Sequence, residues 1–357
     1  MFELQERIAR AVTDALKVVL QDQATRLAPN ATGNAAAHEQ YLRGRSLLYQ
    51  RGYGNLRSAE VAFKAALALD PNYADAWAGL AQTYALLPQY VWSDPTAHDF
   101  VDTNPLAIDA AEHALKLDPK SSSALSARAA IRYSINFDWA GAEADFRAAI
   151  LANPRDTTAH QWYGEFLSTE RRWAESDAQF RAALAIDPLS AVLHFSYGIS
   201  LAVHRQFEAA IVQFDRALQL SPGFVEPATM KTTALIDMGR YDEAAEVTRI
   251  LPDTGREEML LVIAALRDPS RKPEAVKYEL EHGGKSILLA PLQLARLGDY
   301  EAAMTELQHE FAAEVPFREY LYVLPQFEPL HKDPRFQALL KQIGLPRTNQ
   351  IDKPGTQ

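Results

Sequence analysis

The chain has 357 residues, 48% of them apolar and 23% charged, with 46 acidic against 36 basic side chains and a net charge of −10. That balance disfavours nonspecific nucleic-acid binding, which needs clustered Lys and Arg, and it suits basic or apolar partners. There is no cysteine, which excludes disulfides, thiolate metal sites and cysteine nucleophiles and fits a reducing compartment. No apolar run reaches the ~20 residues needed to span a bilayer, and no charged-then-apolar leader opens the chain, so a cytoplasmic location without membrane contact is expected. Residues 2–20 read as a helix, because Leu4, Ile8, Ala11, Val12, Ala15, Leu16 and Val19 fall on one stripe. Ala28 to Asn34 is a linker by composition, and residues 1–37 form an N-terminal unit.

From residue 38 the chain reads as helix pairs at roughly 38–69, 74–117, 122–152, 157–186, 191–220 and 225–250. Two degenerate pairs follow near 256–282 and 285–312. The expected division is therefore 38–253, 254–315 and a C-terminal capping segment and tail at 316–357. Asp70-Pro71, Asp118-Pro119, Asn153-Pro154, Asp187-Pro188 and Ser221-Pro222 punctuate the pairs, the last three intervals being 35, 34 and 34 residues. A proline there stops the second helix, since it lacks a donor and restricts its predecessor. Ahead of the prolines stands one apolar frame: Ala59, Phe63, Ala66; Ala142, Phe146, Ala149; Phe180, Ala183; Ala210, Phe214, Ala217. Each first helix joins a bulky to a small residue where helices approach closely, as in Trp77 with Leu80-Ala81, Tyr163-Gly164 and Tyr197-Gly198. An aromatic anchor opens each second helix (Trp139, Trp173, Phe207, Tyr241, Tyr300), and Gly239 and Gly298 stand just ahead of it, where a helix ends with positive φ. Residues 88–104 add length to the second pair and carry Tyr90, Val91, Trp92 and Phe100. They read as a local cap or as an element of a binding face.

This period and frame resemble the tetratricopeptide repeat, which implies an all-α, right-handed solenoid of stacked helix-turn-helix pairs. The stretch from Phe2 to about Leu345 is similar, more narrowly, to the C-terminal repeat region of bacterial winged-helix regulators and class III adenylate or guanylate cyclases. Phe2 to Ala9, Tyr41 to Arg45, Phe327 to Leu330 and Asp333 to Leu340 carry that likeness. Neither output domain is in this sequence, so the expectation is the sensory or regulatory portion of a signalling protein.

In such repeats the first helices line a concave groove. Carried over by alignment, the groove here is Asp75, Gln82, Ser126, Tyr133, Gln161, Glu165, Thr169, Phe195, Ile199, Glu226 and Thr233. It is expected to take an extended peptide or a partner helix. Repeats that clamp a terminal carboxylate place Lys, Arg and Asn at these slots; acidic, amide and apolar residues here imply no such clamp.

Other motifs point to packing. Arg128 takes a usually apolar slot one turn from Arg132, and a buried arginine needs a carboxylate; Asp145, Glu143 and Glu165 are the candidates, with a ligand anion as the alternative. His160 and His194 open equivalent helices without further metal ligands in reach, and His98, Asp99 and Asp102 are too loosely spaced for a metal. Gly283-Gly284-Lys285-Ser286 lacks the earlier glycine of a phosphate loop, since residue 279 is Glu279, and reads as an interhelical turn. No catalytic constellation or cofactor fingerprint appears. The chain reads as a noncatalytic scaffold that binds a protein or peptide; a small-molecule sensor, and a homodimer built through residues 2–20 or the tail, are the alternatives.

Overall fold

The computed structural model describes residues 32–90, 103–282, 289–312 and 317–345. The helix expected at 2–20, most of the 88–104 insertion, the Gly283–Ser286 turn and the tail beyond residue 345 lie outside the described residues. Within them the chain is all-α, without a strand. Eight helix pairs follow one another: α1 (Ala35–Gln50) with α2 (Tyr53–Leu69), α3 (Ala74–Tyr90) with α4 (Asn104–Leu117), and α5 (Ser122–Ser134) with α6 (Trp139–Ala152). Then come α7 (Thr157–Thr169) with α8 (Trp173–Ile186), α9 (Ala191–Val203) with α10 (Phe207–Leu220), and α11 (Glu226–Asp237) with the shorter α12 (Tyr241–Val247). The last two are α13 (Asp253–Arg267) with α14 (Lys272–His282), and α15 (Leu289–Arg296) with α16 (Tyr300–Ala312). Two 3-10 turns, Arg318–Tyr320 and Pro325–Leu330, lead to a final helix α17 (Pro334–Gln342).

Local chemistry sets the helix ends. Each residue ahead of the proline closes the second helix with its own N–H, as Asp70 does on the Ala66 carbonyl and Asp187 on Ala183. The same side chain then turns the backbone: Oδ1 of Asp70, Asp118, Asn153 and Asp187 accepts the N–H two residues on, at 3.0 to 3.2 Å. Such Asx turns are why Asp and Asn recur there. Ser121, Asp156 and Ser190 cap the following helices by accepting from the first-turn amides. A third regularity joins the turn to the next helix. The indole of Trp77 and the imidazoles of His160 and His194 each reach the carbonyl of the proline six residues earlier, at 2.9, 3.1 and 3.2 Å.

Within each pair, Gly164 and Gly198 sit where a Cβ would come 2.9 Å and 2.5 Å from the rings of Phe180 and Phe214, so only glycine lets the two helices close. Positive φ marks the turn inside most pairs: Arg51 and Gly52 in the first, then Phe137, Arg171, Arg205, Gly239 and Gly298, so Phe137, Arg171 and Arg205 keep side chains in the slot that Gly239 and Gly298 fill later.

Neighbouring first helices pack directly on one another, α3 against α1 and α5, and α7 against α5 and α9, whereas successive second helices share no comparable contact among the described residues. That asymmetry bends the stack, with the first helices on the inside. The C-terminal segment then returns to the pair turns of the middle repeats. Arg318 lies 5.4 Å from the Phe137 ring, Arg171 stacks 5.6 Å from the Tyr322 ring, and Arg205 pairs with Glu328 at 2.9 Å. The Trp139 indole donates to the Ile343 carbonyl at 3.0 Å, across 204 residues of sequence. One apolar core consequently runs from Tyr133, Trp139 and Phe166 into Leu321, Phe327, Leu330, Phe336 and Leu340.

Candidate functional site

The inner face is built from the first helices, and its residues do not share one fate. Ser126 is 0% exposed and donates to the Ser123 carbonyl of its own helix. Thr169 is likewise buried and bonds the Phe166 carbonyl. These two present no surface to a ligand. Their hydroxyls face the preceding turn, as Ser and Thr in helices commonly do. Gln82 is buried on α3. Phe195 packs edge-on against Phe224 at 4.9 Å, and Ile199 packs with it against the Phe180 to Phe214 cluster. Asp75 stands apart at the N-terminal end beside Arg45 and His38, its carboxyl raised by burial.

The remaining residues converge. Gln161 Nε2 donates to Glu165 Oε1 on its own helix and to Ser196 Oγ on α9, each at 3.0 Å, tying two inner helices together. Glu165 interacts electrostatically with Arg51, Tyr90, Tyr133, Glu319 and Tyr320, and Tyr90 also with Glu226. These groups come from six separate segments of the chain and lie within electrostatic reach of Glu165 or Tyr90. Burial pushes the Glu165 and Glu226 carboxyls up and that of Glu319 up to about 8. Thr233, on the same helix as Glu226, has a buried hydroxyl with no hydrogen-bond partner, and Oε2 of Glu319 is buried and unpartnered as well.

The sequence reading missed Glu319 and Tyr320. They lie in a short 3-10 turn outside the repeat frame, and no periodic signal places them. It also missed a buried hydroxyl cluster between repeats, in which Ser168 lies 2.8 Å from Ser176, and Ser176 donates to the Gly164 carbonyl at 2.8 Å. Ser176 stands where the frame elsewhere has alanine. The arginine question has a definite answer: Arg128 grips Asp145 with two bonds of 2.7 Å, and Arg132 adds a third at 2.7 Å. Asp145 therefore occupies Arg128, and neither a ligand anion nor Glu143 or Glu165 is needed to balance it. His160 and His194 are held the same way as each other, with Nδ1 2.7 Å from Gln179 and Gln213 respectively. Among the described residues no three His, Asp or Glu side chains gather closely enough to hold a metal. No helix of the described residues is long and apolar enough to cross a membrane. Two shallow recesses elsewhere, at Asp253 to Leu261 and at His194 to Gln219, include none of the interior carboxylates.

No family model matches the chain, and no curated protein matches it. Solved structures do. The human IFIT1 dimer with m7Gppp-AAAA superposes at a TM-score of 0.54 with 15% identity, over 94% of this chain and 76% of that one. A thermophilic tetratricopeptide repeat protein of Thermus thermophilus matches over 56% of this chain and 100% of its own, at 16% identity and a TM-score of 0.45. At such identities the similarity to the first is one of fold: this chain is an all-α helical-repeat superhelix.

Proposed function

We propose that the chain is a noncatalytic binding scaffold that takes an extended peptide or partner helix on its inner face. The observation that supports this most is the joining of inner helices at Gln161, which donates to Glu165 on its own helix and to Ser196 on the next, with Tyr90, Tyr133 and Arg51 of other repeats within electrostatic reach of Glu165. A stack that turns polar side chains inward from successive repeats offers distributed contacts along a groove. The inner residues proposed to carry those contacts are Asp75, Gln82, Tyr133, Gln161, Glu165, Phe195, Ile199, Glu226 and Thr233. Phe195 and Ile199 supply apolar anchors; Gln161 and Glu165 supply polar ones. By its resemblance in sequence, the chain serves as the sensory or regulatory half of a bacterial signalling protein, where a bound partner alters the pitch of the stack and with it an attached output domain. Self-association, as a homodimer through residues 2–20 or the tail, is an alternative to this reading.

The test is binding of candidate peptides to the full chain and to a Phe195→Ala, Gln161→Ala double variant, followed by fluorescence anisotropy. A loss of tenfold or more in the variant, which is about 1.4 kcal/mol, is the expected result. Equal affinity for every peptide tested sinks the inner-face assignment. A small-molecule effector is the second reading, favoured by the return of the C-terminal segment onto the middle repeats, which narrows access to the interior. A thermal-shift screen separates the two, since a ligand at a hundred times its Kd adds about 2.7 kcal/mol to stability.

A further inference from the structure

We propose that the docking of the C-terminal segment on the middle repeats is a pH-sensitive clasp, closed while His331 and His204 are neutral and released when they take up protons from water. The two imidazoles belong to opposite sides of the joint. His331 follows the 3-10 turn Pro325–Leu330 on the returning segment, and His204 ends α9 next to Arg205, which pairs with Glu328 of that segment at 2.9 Å.

The His331 ring stacks on Tyr322 at 5.0 Å and an interplanar angle of 14°, and on Phe336 at 5.6 Å and 25°. The Tyr322 ring in turn carries the Arg171 guanidinium at 5.6 Å, so this histidine is packed into the contact that joins segment to repeat. Its Nε2 is buried and has no hydrogen-bond partner. A neutral imidazole can leave one nitrogen as a bare acceptor, but an imidazolium there has a buried N–H with nothing to receive it. His204 stacks on Trp173 at 4.7 Å and 9°, and its Nδ1 accepts from Gln206 Nε2 at 3.0 Å. That bond exists only while Nδ1 carries no proton.

A charge on either ring meets Arg171, and the nearby carboxylates are already engaged. Glu328 is held by Arg205, Asp333 by Arg335, and Asp177 by Arg181 and Tyr197. The groups facing His331 are Arg171, Tyr322 and Glu328; those facing His204 are Arg171 and Asp177. Burial lowers the His331 imidazole, with Glu328 pulling it back and Arg171 lowering it again. Burial and then Arg171 lower that of His204, against Asp177. The released segment therefore binds protons more readily than the docked one. Closure is fully favoured above the ordinary imidazole range, near pH 6.5, and weakens as pH falls below it. Opening separates Tyr133, Trp139 and Phe166 from Leu321, Phe327 and Phe336, which share one core when the clasp is shut. The chain then offers in acid an apolar surface that it hides at neutral pH.

The experiment measures the joint directly. The chain has no cysteine, so Lys332→Cys with Ala185→Cys gives one spin-labelled pair across the clasp, read by double electron–electron resonance from pH 7.5 to 5.0. The expected result is one distance at pH 7.5 and a longer population that grows at least tenfold by pH 5.5, while far-UV circular dichroism keeps its helical signal. His331→Phe preserves a stacked ring without a titrating nitrogen and is expected to hold the single distance throughout, with His204→Phe intermediate and the exposed His309→Gln like the parent. His331→Gln, a second side chain that takes up no proton in this range, keeps the test valid if phenylalanine disturbs the packing. An unchanged distance distribution in the parent chain overturns the proposal. So does an acid shift of the same size in both His331 variants, or a loss of helical signal with the same midpoint, which would make the event global acid unfolding.

Discussion

At the scale of single residues, two buried charges show what a repeat frame reveals and what it hides. Arg128 was legible because it breaks the frame: an arginine in an apolar slot must find a carboxylate, and Asp145 sits one helix away with its side chain only 8% exposed. Removing Asp145 takes both bonds from Arg128 and leaves Arg132 with Asp138 and the Gly141 carbonyl, so Asp145→Ala is expected to cost about 1–3 kcal/mol in urea unfolding. Arg128→Met, which leaves Arg132 on the carboxylate, is expected to cost less. Glu279 was not legible as a buried group. Its repeat is degenerate, so nothing in the spacing says which face of α14 turns inward, and the position was read only as a missing glycine. It is 1% exposed with an unpartnered oxygen. Burial, and then the neighbouring Glu258, pushes its carboxyl up to about 9, against the weaker opposite pull of Arg296. The folded state therefore holds a proton that the unfolded state has already lost above its ordinary carboxyl range. Stability is greatest on the acidic side of that window and falls as pH rises through 7 to 9, by up to about 1.4 kcal/mol per pH unit for one group. Glu279→Gln is expected to raise the melting temperature at pH 8.5 and to flatten the slope. A profile identical to that of the parent chain between pH 6 and 9 would show that Glu279 is not the titrating group.

At the scale of elements, the Asp-Pro punctuation, the aromatic anchors and the 34-residue spacing made the helix pairs readable, because each recurs at a fixed place in the repeat. What escaped were joints between segments far apart in sequence. Pro88 lies inside α3, one turn from its end. Lacking an N–H, it leaves the Tyr84 carbonyl without its usual helical partner. Thr103, at the far end of the insertion, is buried and donates its hydroxyl to that carbonyl at 2.7 Å. The proline was plain in the sequence, but its compensation 15 positions later was not, because nothing local announces which hydroxyl will return. Thr103→Val keeps the shape and orphans the carbonyl, so it is expected to cost about 1–3 kcal/mol. In a Pro88→Ala background the helix supplies its own donor, and the same change is expected to cost clearly less. Additive losses in that double-mutant cycle would mean that Thr103 acts elsewhere.

At the scale of the whole molecule, the closure of the superhelix depends on three pair turns that retain side chains where glycine would relieve the backbone. Phe137, Arg171 and Arg205, with φ of 53°, 58° and 59°, each meet one residue of the returning segment: Arg318, Tyr322 and Glu328. Strain of this kind persists where the surroundings hold it in place, and here the side chains that impose it also make the contacts. The spacing predicted the turns and the closing segment's likeness predicted a cap. Neither told where the cap would dock, since docking is set by the accumulated curvature of eight pairs rather than by any one. The contacts are unequal in strength. The Arg205 to Glu328 pair is more than half exposed on both sides, so Arg205→Ala is expected to change stability by less than about 1 kcal/mol. The Trp139 indole is buried and meets a backbone carbonyl, so Trp139→Phe leaves that carbonyl unpaired, and Tyr322→Ala adds the loss of a ring over Arg171. Together they are expected to loosen the clasp, raising the radius of gyration in small-angle scattering while far-UV circular dichroism keeps its helical signature. A scattering profile unmoved by the paired substitutions would place the strength of the closure elsewhere in the core.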